Sequence, residues 1–367
     1  MAAGVARAVA RVNLAAVQRN CARLAGALTG GAELCAVVKA DGYGHGAAPC
    51  AAAALQGGAR WLAVATAGEA RALRAAGIEA RLLIMGALTP AEIDIAAAAD
   101  ADVTTWDERF VAALAGRPLL VHVKLDSGMG RLGTRDVEAA RRVVAAVDAA
   151  PGLTLAGVMT HFATADEVGD AFLDEQLAAF APFAAEVKRS HPGAIAHAAN
   201  SAATLREPAT HFDLVRCGVA VYGLDPFQRD PLPHGLEPAL ALDSYVAAVK
   251  PAAPGQSVGY GRRFVATEPT TLATIPIGYG DGVRRALTNN ADVIVRGRRH
   301  PLVGTVSMDN ITVDLGTQTD VQCYDEAVLI GDGVLAEEWA RRLGTINYEA
   351  TCGLTQRVER RYHRDGV

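Results

Sequence analysis

The strongest constraint on this chain is an alternation that fills its first two thirds. Eight short runs rich in branched apolar residues, at 33–39, 61–65, 81–85, 102–105, 119–124, 153–159, 194–198 and 214–216, alternate with alanine-rich stretches. Stretches such as 67–76 and 136–149 place apolar residues at helical spacing. A strand separated from the next by a helix pairs with it in parallel, because the crossover is long enough to return to the same edge. Eight such units close most economically into a β/α barrel of the TIM type, with an open doubly wound sheet as the competing arrangement.

Near Leu232-Pro233-His234-Gly235 the texture changes. Strand patterns then follow without intervening helices, at 244–249, 272–277, 292–295, 311–314 and 327–330, separated by turns such as Pro254-Gly255 and Asn289-Asn290. This predicts a mainly antiparallel β domain with one late helix at 336–343. The expected division is a barrel over 1–235 and a β domain over 236–367, with the first ten or so residues able to pair with the β domain. No period of 20–50 residues marks a repeat array.

Composition narrows the function. A 51% hydrophobic content with 20% charge implies a substantial core and excludes a disordered chain. A net charge of −5 gives no reason to expect nucleic acid or an anionic membrane as partner. The six cysteines lie far apart, without a Cys-x-x-Cys pair or a Cys/His cluster, so neither a metal site nor a disulfide framework is expected. Arg7 and Arg11 interrupt the only candidate leader, and no 18-residue apolar run is present, which predicts a cytoplasmic protein. Of 35 basic side chains only four are lysines, Lys39, Lys124, Lys188 and Lys250, so a lysine in a strand needs a reason.

In a β/α barrel, chemistry gathers where strands run out into the following loops. Lys39 ends the first run and precedes a glycine-rich loop bearing Tyr43. An amine desolvated at a barrel mouth has a lowered pKa, which suits a Schiff-base nucleophile. Lys124, His161, Ser201 and Arg216 stand at other strand ends, and Gly218-Val219 follows the last strand, where barrels commonly bind phosphate through backbone N–H groups. A phosphorylated cofactor or substrate is therefore expected.

The segment AVVKADGYGHG (36–46) resembles the pyridoxal-phosphate attachment motif of bacterial alanine racemases. The resemblance extends through KLDSGMGRLG (124–133), THFATAD (160–166), HAANS (197–201) and VRCGVAVYGL (215–224). In the β domain it continues through VGYG (258–261), IPIGYGDG (275–282), VGTVSMDN (303–310) and INYEA (346–350). It implies that Lys39 holds pyridoxal 5'-phosphate and acts as one catalytic base. Tyr260 is then the second base, delivered by the partner in a homodimer, with His161 and Arg216 forming a hydrogen-bonded chain towards the pyridine nitrogen. The implied phosphate holders are Tyr43, Ser201, Gly218, Val219 and Tyr348. Arg131 is implied near the substrate carboxylate with Met308 and Asp309, Tyr279 at the entrance and Asp166 outside it. The lysine matching Lys124 is carbamylated in many members; an ordinary ion pair with Asp126 is the alternative. The implied reaction interconverts L- and D-alanine, supplying D-alanine for peptidoglycan.

Three departures stand out. Gly259 precedes Tyr260 where serine is usual, Ser307 replaces a common cysteine, and the stretch beginning at Ala8 lacks a frequent tryptophan. A serine or broad-specificity racemase of the same fold is the alternative activity. A barrel-type pyridoxal decarboxylase fits less well because its Cys-Asp substrate motif is not visible. A non-catalytic pyridoxal-phosphate carrier would leave Tyr260 and the β domain without a purpose.

Overall fold

The computed structural model describes residues 6–365, so Met1–Val5, part of the segment weighed as a leader, lies outside the described residues. The described residues divide into two compact units, one of Val17–Val221 with His234–Leu236, the other of 6–16, Tyr222–Pro233 and 237–365. The first strand, β1 (Val9–Asn13), belongs to the second of these.

The unit beginning at Val17 is a closed barrel of eight parallel strands. In order they are β2 (Glu33–Val37), β3 (Trp61–Val64), β4 (Arg81–Ile84), β5 (Ala101–Thr105), β6 (Leu119–Lys124), β7 (Leu153–Met159), β8 (Ile195–His197) and β9 (Leu214–Cys217). β9 closes on β2 through the pairing of Val215 with Leu34. Strands covered on both faces can be apolar throughout, and Leu62, Leu82, Leu83, Ile84, Val103, Val121 and Val123 are fully buried. The helices between them start where the sequence supplies caps. Thr66 and Glu69 form a reciprocal capping box for Ala67–Ala75. Asp107, Asp136 and Asn200 accept N–H bonds at the starts of Glu108–Leu114, Val137–Ala149 and Ser201–Arg206.

The first expected strand is too long by two residues. β2 stops at Val37 because the backbone turns left-handed just after Lys39. Likewise β8 stops at His197, and Asn200 and Ser201 begin a helix rather than end a strand.

The other unit is built on a six-stranded sheet in the order β16-β15-β18-β10-β1-β19, with a three-stranded sheet β11-β14-β17 and a two-stranded ribbon β12-β13. These strands are β10 (Leu240–Tyr245), β11 (Ala248–Ala252), β12 (Ser257–Val258), β13 (Phe264–Val265), β14 (Thr270–Ile275), β15 (Asp292–Val295), β16 (Arg298–Pro301), β17 (Ile311–Gly316), β18 (Glu326–Ile330) and β19 (Glu359–His363). All its pairings are antiparallel except that of β1 with β19. The run expected at 244–249 is two strands, because the chain changes sheets there. The Val246 N–H bonds to Asp325 on the β18 side, and the next N–H, of Ala247, bonds to Thr274 of β14. The late helix forms at Ala336–Leu343 and buries Trp339. Among the described residues, no helix is long and apolar enough to cross a membrane, and all six cysteines are free thiols.

Candidate active site

In the barrel unit the strand ends carry the expected side chains. Lys39 opens a left-handed turn: Ala40, Asp41 and Gly42 have φ/ψ of 51/49°, 50/51° and 62/43°, and Tyr43 follows at φ 54°. Three of these residues carry a Cβ, and each costs about 1–2 kcal/mol in this conformation. The turn persists because it is bonded on all sides. Glu69 accepts the Ala40 N–H at 2.7 Å while its other oxygen accepts those of Ala65 and Thr66. Asp41 accepts the Ala47 N–H at 2.8 Å, and the His45 ring meets the carbonyls of Gly42 and Tyr43. The helix cap of 67–75 thus also clamps the backbone next to Lys39.

The turn directs Tyr43 at Gly218. A Cβ on Gly218 would stand 2.2 Å from the Tyr43 hydroxyl, so only glycine leaves room for the ring there. The Ser201 hydroxyl accepts the N–H of Gly218 at 3.0 Å and of Ala220 at 3.4 Å, which leaves its own hydrogen to donate. Tyr43, Ser201 and Val219 are buried. Two hydroxyls at the Gly218–Val219 turn form a donor pair suited to a phosphate ester.

Around these donors the mouth is cationic. Arg216 is buried, and its fork donates to the carbonyls of Thr160 and Ala198 at 2.8 and 2.9 Å and to the His197 ring at 2.8 Å. Burial pushes its pKa down to about 10, which keeps it charged at neutral pH. His161 lies 3.3 Å from Arg216 and is pushed well below the usual histidine range by burial, then by Arg216, Lys124, Arg131 and Lys39, so the ring is neutral. Lys124, the last residue of β6, is pushed down to about 8 by burial and by Arg216 and Arg131. The charge of Asp126 opposes this shift, and Asp126 also accepts the N–H groups of Gly128 and Gly130 and pairs with Arg135 at 3.2 Å. Arg131 and Asp166 are exposed in loops.

The remaining expected residues lie in the other unit, and several share one set of loops. Tyr260 is 76% exposed, with Met308 and Tyr279 also exposed. The Thr305 hydroxyl donates to the Tyr260 carbonyl at 2.6 Å, while the N–H groups of Tyr279 and Gly280 bond to the carbonyls of Ser307 and Met308. Asp309 pairs with Arg357 at 2.7 Å, and the buried Asp281 takes both Arg7 and Arg357. Two departures acquire a physical reason. Gly259 has φ 69° and ψ −176°, a region essentially closed to side-chain-bearing residues. The Ser307 hydroxyl closes its own turn by bonding both N–H and C=O of Asn310. Tyr348 is half-buried at the start of the helix Asn347–Cys352.

Sequence reasoning missed Glu69, the Arg7–Asp281–Arg357 cluster and the buried pair Asp102 and His122. A histidine inside the apolar run LLVHVK was the available signal for the last.

Comparison with known proteins agrees with this arrangement along the chain. Residues 12–226 match the family model for the alanine racemase N-terminal domain, and residues 239–362 the model for its C-terminal domain. The alanine racemase of Frankia casuarinae is 43% identical, covering 97% of this chain and 96% of its own. That of Thermobifida fusca is 43% identical, covering 97% and 98%. Among solved structures, alanine racemase from D-cycloserine-producing Streptomyces lavendulae has a TM-score of 0.91 at 38% identity, covering 100% of this chain and 99% of that one. The Bacillus anthracis alanine racemase with bound L-Ala-P has a TM-score of 0.92 at 37% identity, covering 100% and 97%. The chain belongs to the alanine racemase family.

Proposed function

We propose that this protein is a pyridoxal-phosphate-dependent alanine racemase that works with two bases, Lys39 and Tyr260 of the partner subunit. The observation that carries the reading is the grouping at the strand ends of buried Lys124 and Arg216, His161 at 3.3 Å from Arg216, and the Tyr43 and Ser201 hydroxyls at Gly218. Pyridoxal phosphate, when bound, supplies a carbonyl for the substrate amine and an electron-withdrawing ring that acidifies the α-C–H bond. Its phosphate suits the donors of Tyr43, Ser201, Gly218 and Val219, with Tyr348 added from the β domain. Arg216 faces the ring nitrogen as a permanent cation and has no proton to give.

The chain's own groups then move one proton each way. The Lys39 amine takes the α-proton from one face, and the hydroxyl of Tyr260 of the partner subunit returns one to the other face. Net charge is unchanged and the centre is inverted; the reverse direction exchanges the two roles. A phenol has a pKa of about 10 and needs an acceptor to act at neutral pH. His161, held neutral, supplies one. Arg131 pairs with the substrate carboxylate, which Met308 and Asp309 of the partner subunit help enclose, while Tyr279 narrows the entrance and Asp166 lies outside it. Lys124 retains a useful fraction of free amine near its pKa of about 8. Addition to carbon dioxide with loss of a proton gives an anionic carbamate that orients Arg131.

The expected division at 235/236 then shifts: the cofactor-carrying barrel is Val17–Val221, and β1 joins the β domain that serves the partner's site in a homodimer. The product serves peptidoglycan synthesis in the cytoplasm. In deuterated water both enantiomers of alanine are expected to gain deuterium at the α-carbon, and no exchange with either enantiomer overturns the reading. Rates on serine or arginine matching those on alanine turn it towards broad specificity. Mixing inactive Lys39→Ala and Tyr260→Phe dimers, with subunit exchange verified by mass, is expected to restore activity. No recovery refutes delivery by the partner.

A further inference from the structure

Arg216 is a buried cation, and among the described residues no carboxylate bonds to it. A charge removed from water needs compensation. The nearest continuous path to an anion runs through the barrel interior. Arg216 Nη1 lies 2.8 Å from His197 Nδ1, His197 Nε2 lies 2.8 Å from His122 Nδ1, and His122 Nε2 lies 2.9 Å from Asp102 Oδ2. The same oxygen takes Nε and Nη2 of Arg81 at 3.1 and 2.9 Å. Arg81 in turn stacks over Trp61 at 3.9 Å. Asp102, His122 and His197 are all buried.

The barrel makes room for this path. β7 lies between β6, which carries His122, and β8, which carries His197. At the crossing β7 has Gly157, where a Cβ would stand 2.7 Å from His122 Nδ1. The β6–β7 register also shifts between Val121 and His122, as a bulge that re-aims a side chain would require. A glycine and a register shift at one point of a packed barrel have no role in the racemase reading given above, and both serve the contact between the rings.

Donor counting fixes the direction of every bond. A guanidinium only donates and a carboxylate only accepts. His197 Nδ1 must therefore accept from Arg216, His197 Nε2–H must donate to His122 Nδ1, and His122 Nε2–H must donate to Asp102. Protonating either ring would set N–H against N–H. Burial and Arg216 push the His197 pKa well down, and burial lowers that of His122, in keeping with two neutral rings.

We propose that Asp102 and His122 are positioning residues for Arg216, the carboxylate acting through two neutral imidazoles to fix the orientation of the guanidinium and keep its charge inside the barrel. The functional part of this rests on the reading that Arg216 faces the cofactor's ring nitrogen; the tautomer part does not.

Nitrogen-15 NMR of the histidine-labelled holoenzyme tests the arrangement without any substitution. Both His122 and His197 are expected as neutral Nε2–H tautomers across pH 6–9; an Nδ1–H tautomer or a cationic ring at either position overturns it. Two replacements at one site then separate positioning from packing. His122→Gln keeps a donor at one end and an acceptor at the other, whereas His122→Phe keeps only bulk. His122→Phe is expected to lower kcat about tenfold with KM within about twofold, and to shift the absorbance spectrum of the bound cofactor. His122→Gln is expected to stay within about threefold of the parent, with the parent spectrum. Asp102→Asn keeps an oxygen that accepts from His122 and is expected to preserve both tautomers with kcat within about threefold of the parent, whereas Asp102→Leu removes the acceptor and is expected to lower kcat about tenfold. Equal kcat in the glutamine and phenylalanine variants of His122, or in the asparagine and leucine variants of Asp102, overturns the proposal. A parent protein with the expected tautomers but no racemisation counts against the function alone.

Discussion

Around Lys39 the side chains of Tyr43, Lys124, Ser201 and Arg216 are buried and the adjoining turn is tied down. The turn of 40–43 is held by Glu69, Asp41 and His45, and Arg216 is bonded through both arms of its fork. Around Tyr260 the reverse holds: the aromatic ring is 76% exposed on a loop whose backbone passes through Gly259 and Gly261 at positive φ. The first region is a finished electrostatic environment, with its reorganisation cost met during folding. The second presents exposed Tyr260, Tyr279 and Met308 on loops stitched by backbone bonds, as a surface awaiting another surface would. One half of the proposed chemistry is set by what is buried, the other by what is left uncovered.

Substitutions should separate the two regions in a graded way. Lys39→Ala is expected to abolish both borohydride-stable cofactor attachment and activity, with a loss of at least about 10³-fold, read by peptide mass spectrometry and alanine exchange. Tyr260→Phe is expected to cost about 10²–10³-fold in kcat. Because the residue is exposed, the unfolding free energy from urea titration should stay within about 0.5 kcal/mol of the parent, and a larger drop would break the comparison. Gly259→Ser forces a side chain into a glycine-only conformation costing about 1–3 kcal/mol, and its Cβ would meet the Thr305 backbone at 3.2 Å. The loop should shift to relieve this, lowering kcat about tenfold or less while cofactor affinity is unchanged.

The smallest effect concerns stability. The Lys124 pKa is lowered from its ordinary 10.5 to about 8, so the folded state resists protonation of this amine. That cost is full below pH 8 and fades as pH rises from 8 to 10.5, where the unfolded chain also loses the proton. Lys124→Met is therefore expected to stabilise the protein at pH 7 by on the order of 1–3 kcal/mol, with the gain shrinking above pH 8. A gain that does not depend on pH would mean that packing, not charge, sets the effect.

The same contrast explains what the sequence disclosed. Buried parallel strands read as apolar runs, so all eight barrel strands were visible to within a few residues. Lys39, Lys124, His161 and Arg216 were visible because a polar residue ending such a run is conspicuous. β16, with sequence RRHP, and β19, with sequence ERRYH, are edge strands whose charges hide them. Glu69 reads as an ordinary capping residue, and only the folded chain shows it holding Ala40 as well. The path from Asp102 to Arg216 joins four strands, and no local pattern encodes it. Tyr260 in an exposed loop has no periodicity to reveal it; only the resemblance of VGYG did.

The placement of β1 has a consequence for how the chain is made. β1 lies between β10 and β19, and its Arg11 bonds to Asp243, 232 residues downstream. Asn13 meets Asp365, 352 residues further along. At about 5–20 residues per second a ribosome needs roughly 10–50 s to deliver β10 after β1 has emerged. The barrel strands are all synthesised within that interval. The nascent chain therefore carries β1 unpaired while the barrel strands that follow it have the chance to close. The sheet receives β19 only after every other strand of the second unit has been made, which makes the pairing of β19 with β1 a checkpoint for that unit.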